Sequence, residues 1–269
     1  MSAQQILAIL GASDPEMERI EALLRSVGAQ VRYARGPDWR RVDARGAYEE
    51  VQPEWPPAGC RLLVVVECAL RVRISGVRHV RVDHHRPGDP GYGRPPKEYW
   101  EASSLGQVVT LLQAEGLLGD EIPEDWRYAA AADHCLGAAY QGRCPGVDPD
   151  RLFAWRLEGR AKWQKRPVAD LLADGRAALE MIAAAPLVCI GGVEVRDLRG
   201  ASVAELPDAQ GRSGESVICG GLPGRDGRTK VNVMGSAAAC AAFLDSLEDL
   251  GLVDGYGDPC RGIVGAYRE

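Results

Sequence analysis

An uninterrupted apolar run, Leu62-Leu63-Val64-Val65-Val66, closes abruptly at Glu67. A strand with no polar face has to be covered on both sides, the condition met in parallel sheets between helical layers rather than in sheets with one wet face. The surrounding pattern agrees. Residues 5–10 form a short apolar run, followed by Met17, Ile20, Leu23, Leu24 and Val27 at helical spacing, and 31–33 reads as a second strand. Residues 77–82 alternate like a strand, 99–118 are helical, and the Ala-rich stretch 128–140 is helical again. Strands alternating with helices predict an α/β fold, a mostly parallel sheet with helices on both faces. Such sheets bind ligands beyond the carboxyl ends of their strands. The carboxylate-bearing ends after 5–10, 62–66 and 77–82 would then converge on one edge.

The chain holds four histidines, and three of them fall at 79, 84 and 85. Asp83-His84-His85 presents a hard oxygen and two imidazoles where a strand becomes a loop, a setting suited to a divalent metal. Glu67 follows a buried strand. Glu16 and Glu18 follow Asp14-Pro15, where they are either ligands or ordinary first-turn carboxylates facing a helix N-terminus. Asp133 sits in an apolar stretch and has to be paired, capped or metal-bound, since a bare buried carboxylate costs several kcal/mol. Its neighbour His134 either orients a ligand or caps its own helix. Arg86 and Arg94 flank the Pro/Gly-rich loop 86–96, as phosphoryl-stabilising groups or as solvated loop arginines. Tyr92, Tyr99 and Trp100 are stacking or packing aromatics.

Composition narrows the partners. A net charge of −6 provides no general basic field for duplex nucleic acid. A small phosphorylated substrate or a short single strand would need local arginines or a metal. The eight cysteines are scattered without a Cys-x-x-Cys pair, which points to a reducing cytoplasm and no structural zinc. No leader-like segment or run of membrane-spanning length is present, and there is no Gly-x-Ser-x-Gly elbow or Lys-Ser/Thr phosphate loop. Residues 36–59, rich in Pro, Arg and Trp, read as an irregular surface excursion. Residues 151–185 are helical with mixed charge and read as a linker. Beyond them, short strands at 187–190, 193–196, 216–219, 230–234 and 263–267, with a helix at 237–250, predict a smaller α+β domain over 186–269. The expected organisation is therefore 1–150, 151–185 and 186–269. A homodimer is left open.

Asp83-His84-His85, the later Ala102-Ser103-Ser104 helix start and Asp133 together resemble the DHH phosphoesterase superfamily over roughly residues 5–140. That family includes single-strand exonucleases, nano-RNA and cyclic-dinucleotide phosphodiesterases, exopolyphosphatases and manganese pyrophosphatases. Its first motif, Gly-His-x-x-Pro-Asp-x-Asp, stands here as Gly11-Ala12-Ser13-Asp14-Pro15-Glu16-Met17-Glu18, with Pro15 kept, both carboxylates lengthened and the histidine replaced by Ala12. The resemblance implies catalytic Asp83, His84 and His85, and metal ligands Glu16, Glu18, Glu67, Asp83, His84 and Asp133. Under it one ion takes Glu18, Glu67, His84 and Asp133, and a second takes Glu16 and Glu67, with Asp14 as substitute, or is absent. It implies Mn²⁺ or Mg²⁺, one or two ions, and hydrolysis of a nucleotide, cyclic dinucleotide or short oligonucleotide. A degenerate relative would instead bind a nucleotide or a protein without hydrolysis and without metal. Ser103, Ser104, Arg86 and Arg94 become substrate-binding candidates. More faintly, the C-terminal part resembles the DHH-associated domain, whose Gly-rich loop corresponds to 255–265 and brings in Gly257 and Arg261 as phosphate contacts. An ordinary Gly-rich turn is the alternative there.

Overall fold

The computed structural model describes residues 2–44, 46–49, 51–52, 58–70, 74–223 and 228–268. Pro53, Trp55, Pro56 and Pro57 of the expected surface excursion lie outside the described residues. The chain divides into two compact units, residues 1–92 with 100–133, and residues 93–99 with 134–269.

In the first unit β1 (Ile6–Leu10), β2 (Gln30–Tyr33), β3 (Leu62–Val66) and β4 (Arg78–Val82) pair in the order β2-β1-β3-β4, every pair parallel. Between β1 and β2 runs α1 (Pro15–Ser26). Asp14 caps it by accepting the Met17 N–H at 2.7 Å, Pro15 occupies its first position, and Met17, Ile20, Leu23 and Leu24 form its buried stripe. The helix expected over 99–118 is two helices, α2 (Tyr99–Ala102) and α3 (Ser104–Ala114). Ser103 adopts extended backbone and accepts the Gly106 N–H at 3.0 Å, so a serine able to cap starts a new helix where apolar spacing alone continues the old one. Next comes α4 (Glu124–Tyr140), which belongs to this unit up to Asp133 and is broken at Cys135, whose φ of −157° and ψ of 60° are not helical.

Among the described residues, helices longer than a single turn cover one face of this sheet. α1 and α3 pack together on one side, against β1 and β4. On the other side Leu7, Ile9, Leu63 and Val65 meet Ala34, Val42, Ala47 and Cys68, and among the described residues the only helical cover there is the short turn Gly46–Tyr48. Full burial of β3 demands a lid, and irregular chain whose polar groups are bonded serves as well as a helix.

The second unit continues with α5 (Pro149–Gln164) and α6 (Val168–Ala184), separated where Lys165 takes left-handed backbone ahead of Pro167. After them come β5 (Leu187–Ile190), β6 (Val193–Arg199), α7 (Leu206–Ser213), β7 (Val217–Pro223), β8 (Thr229–Met234), α8 (Ala237–Asp245), β9 (Val253–Asp258) and β10 (Ile263–Arg268). The sheet order is β5-β6-β7-β8-β10-β9, antiparallel except for β6 with β7. α8 covers one face through Cys240 and Phe243 over Val195, Ile218, Val233 and Val264. On the other, α6 and α7 cover Leu198, Val217 and Met234 through Ala178, Ile182 and Ala209. The stretch expected as a linker thus contributes to this core. Its mixed charge is explained at Asp208 of α7, which accepts from Arg156 at 2.8 and 2.9 Å and also from Tyr140 and Arg160. Among the described residues no helix is long and apolar enough to cross a membrane.

Candidate metal centre

In the four-stranded sheet the chain passes from β1 to β2 on one side, then crosses to β3 and β4 on the other. The gap beyond the carboxyl ends of β1 and β3 is therefore the topological switch point, where a parallel sheet opens a crevice. Gly11 ends β1 there. Its N–H donates to the Val66 carbonyl at 2.9 Å, and a Cβ on it would fall 2.1 Å from the Glu67 carbonyl oxygen, so only glycine admits this approach. Glu67 itself turns out of β3 at a φ of 47°, an uncommon conformation for a glutamate, and its N–H is held by the Val82 carbonyl at 2.9 Å. That turn directs the carboxylate toward the end of β4.

Four side chains from four different places in the sequence meet at this edge. Glu16, Glu67, His84 and Asp133 each offer a ligand atom, and these atoms lie within 4.8 Å of one another. His84 Nε2 is 2.9 Å from Asp133 Oδ2 and 3.5 Å from Glu67 Oε1. Glu16 is 2% exposed; its Oε1 accepts the Leu105 N–H at 3.1 Å, inside the first turn of α3, while its Oε2 has no hydrogen-bond partner. The fully buried Ser104 Oγ has none either. Burial, and then the charges of Asp133 and Glu67, push the Asp14 carboxyl up to about 7 and raise that of Glu16 well above its ordinary value. Acidic groups crowded at low exposure with one oxygen orphaned fit a divalent cation, which would hold them ionised. Three carboxylates and an imidazole are a donor set for Mn²⁺, Mg²⁺ or a similar ion. Glu67, His84 and His85 make a second, overlapping group whose ligand atoms also lie within 4.8 Å of one another.

Asp83 is not in either group. Its carboxylate is fully buried and turned toward its own loop, accepting the His84 N–H at 2.8 Å, the His85 N–H at 3.1 Å and the Tyr48 hydroxyl at 2.9 Å, with His85 Nδ1 at 3.0 Å. Burial alone would raise its pKa; the bonds and charge of His85, with Tyr48, more than reverse that and bring it to about 2. Its carbonyl accepts from Gly91 and Gln107. Asp83 therefore shapes the loop that presents the two histidines. With the His85 hydrogen on Nδ1 toward Asp83, Nε2 is left as the free ring nitrogen of a side chain one third exposed.

Glu18, expected as a ligand, is exposed on α1. Two residues beyond Glu16 it stands about 200° further round the helix, so the two cannot serve one site. Arg86 lies 4.3 Å over the Tyr48 ring. Ser103 is spent as a helix cap, and Ser104 sits beside the Leu105 N–H that Glu16 accepts. Arg94, Arg261 and Gly257 belong to the second unit. There Arg94 pairs with Glu98 at 3.2 Å, Arg261 donates to the His134 carbonyl, and Gly257, at a φ of 103°, packs against the Ile263 carbonyl. Tyr99 is buried and bonds the Pro145 carbonyl, and His134 Nε2 lies 3.2 Å from the Arg94 carbonyl. Tyr48 and Gln107 were not singled out in the sequence, where neither stands in a recognisable pattern. No family model matches the chain, and no curated protein matches it.

Proposed function

We propose that this chain is a metal-dependent phosphoesterase of the DHH type that hydrolyses a nucleotide, cyclic dinucleotide or short single-stranded oligonucleotide in the cytoplasm. The observation that carries it is the meeting of Glu16, Glu67, His84 and Asp133 at the switch point with a buried Glu16 oxygen unsatisfied. These four would hold Mn²⁺ or Mg²⁺, with His85 available to a second ion through Glu67 and His84. When bound, such an ion supplies Lewis acidity toward a phosphoryl oxygen and lowers the pKa of a coordinated water. The chain's own residues do the rest. Asp83 and Tyr48 fix the His85 ring through Nδ1, which leaves Nε2 as the ring nitrogen that would ligate that second ion. Arg86, steadied over Tyr48, offers a guanidinium to phosphate. The α3 N-terminus keeps Glu16 in place through the Leu105 N–H.

A panel of dinucleotides assayed for nucleotide release, with Mn²⁺ and after chelation, tests this. Asp133→Asn and Glu16→Gln are each expected to lose bound metal and turnover, while Glu18→Gln retains both. Turnover untouched by the first two substitutions rejects the site. Ala12, where the family carries an imidazole, favours a second reading in which the nucleotide is bound but not hydrolysed. Tight dinucleotide binding without release under every metal condition would decide for it.

A further inference from the structure

We infer that Trp39 forms a stacking platform for a nucleobase at the rim of the metal centre. This rests on the phosphoesterase reading and names the part of the substrate that the carboxylate cluster does not account for. Residues 34–42 make a small hairpin in the first unit: Val42 N–H donates to the Ala34 carbonyl at 3.0 Å, Arg35 bridges Arg41 in antiparallel fashion, and Gly36 N–H donates to the Arg40 carbonyl at 3.0 Å. Its root is tied to the metal edge. Arg41 Nε donates at 2.9 Å to the carbonyl of Gly11, the glycine whose α-carbon packs on Glu67. Two residues from Arg41, the Trp39 Cα is at most about 7 Å from it.

The tip is built rather than frayed. Trp39 N–H donates to the Gly36 carbonyl at 2.9 Å, the Trp39 carbonyl accepts from Arg35 Nη1 at 2.6 Å, and Arg40 N–H donates to Asp38 Oδ1 at 3.0 Å. At this tip Trp39 takes a φ of 61°, a conformation that glycine or asparagine adopts readily and a tryptophan rarely does. Trp39 is 60% exposed, so packing against the protein does not explain why an indole stands there. The neighbouring Arg40 side chain is 88% exposed and its ion-pair partner is the exposed Asp38, Nε to Oδ2 at 3.8 Å, a long contact open to solvent. A large π-face beside a guanidinium so weakly engaged, on a hydrogen-bonded hairpin anchored to a phosphate-handling edge, is the pairing by which single-stranded nucleotides are held, base on ring and phosphate on guanidinium.

The test uses the full chain with Mn²⁺, the dinucleotide pApA as substrate, and ribose 5-phosphate as a base-free competitor. Trp39→Asn keeps the left-handed backbone and is expected to melt at or above the wild-type midpoint, so a loss of fold is not the explanation of any effect. Its KM for pApA should rise about 5- to 150-fold with kcat unchanged, while Trp39→Phe stays near wild type. Inhibition by ribose 5-phosphate should be unaltered in both. Where turnover is absent, calorimetric titration with pApA gives the same comparison. Wild-type affinity in Trp39→Asn overturns the stacking site and leaves the phosphoesterase reading standing. Equal weakening of ribose 5-phosphate overturns it too, since the hairpin would then merely support the metal edge. A wild-type protein that neither cleaves nor binds pApA overturns both.

Discussion

Asp83 and Asp133 illustrate how little an aspartate's presence says about its task. Asp133 sits in an Ala-rich helix and Asp83 among histidines and arginines, but only Asp133 joins the group of candidate ligands; Asp83 is occupied by two backbone N–H groups, a phenol and an imidazole. Its folded pKa of about 2 lies below the ordinary 3.8, so its ionised form stabilises the folded chain above that ordinary value, and the contribution fades as pH falls from 3.8 toward 2. Asp83→Asn is therefore expected to lower the thermal midpoint at pH 7 by an amount equivalent to about 2 kcal/mol, with the gap to wild type closing in acid. Unfolding curves at pH 7, 4 and 2 check this; a gap that persists at pH 2 contradicts it. In the sequence, Glu67 and Asp133 stood out because each is a polar group where an apolar element has no use for one, and His84 because three of the four histidines gather within seven residues. The choice between Glu16 and Glu18 was not legible, since both suit the first turn of a helix and only the facing α3 N-terminus selects one.

At the scale of elements, β3 was legible residue for residue because continuous hydrophobicity over five residues has few other meanings. The break at Cys135 was not, because it is a single-residue departure of backbone inside a run whose side-chain pattern carries on, while a helix start at Ser103 was suggested by the resemblance and not by the apolar spacing. α7 and β9 escaped for another reason: Leu206–Ser213 and Val253–Asp258 contain too few apolar residues to show a period, and tertiary contacts hold them. The close approach of two strand ends makes a sharper claim. Gly11→Ala would place a methyl group 2.1 Å from the Glu67 carbonyl, so it should destabilise by about 1–3 kcal/mol and weaken Mn²⁺ binding together. Gly119→Ala, with open space around it, should leave both unchanged. Chemical denaturation paired with metal titration separates them; normal metal binding in Gly11→Ala would show that the strand ends can move apart without cost to the site.

For the whole molecule, alternation of strand and helix in the first half and the change of rhythm after Pro186 announced two sheets of different kinds. What covers them was hidden, because any chain with satisfied backbone groups can close a hydrophobic face. Metal should be felt in global stability. The Asp14 carboxyl, raised from 3.8 to about 7, holds a proton in the folded chain that the unfolded chain has already shed, so without metal stability declines as pH rises through that window. A bound cation takes over the proton's task. Mn²⁺ at a hundred times its pH 8 dissociation constant should add about 2.7 kcal/mol at pH 8, and the same Mn²⁺ concentration should raise the midpoint less at pH 5. Scanning calorimetry with and without chelator reads this directly, and a rise independent of pH would place the ion elsewhere.

The amide of Leu105 has a further effect through the oxygen of Glu16 that it already occupies. With Oε1 drawn toward that N–H, Oε2 is the oxygen without a partner, and a cation is expected to be held through it more readily than through both. Calcium, which wants six to eight oxygens and often clasps a carboxylate bidentately, is short-changed by such a site, whereas smaller ions that keep several waters are not. Calcium should accordingly compete poorly with manganese here, a discrimination made by one backbone hydrogen.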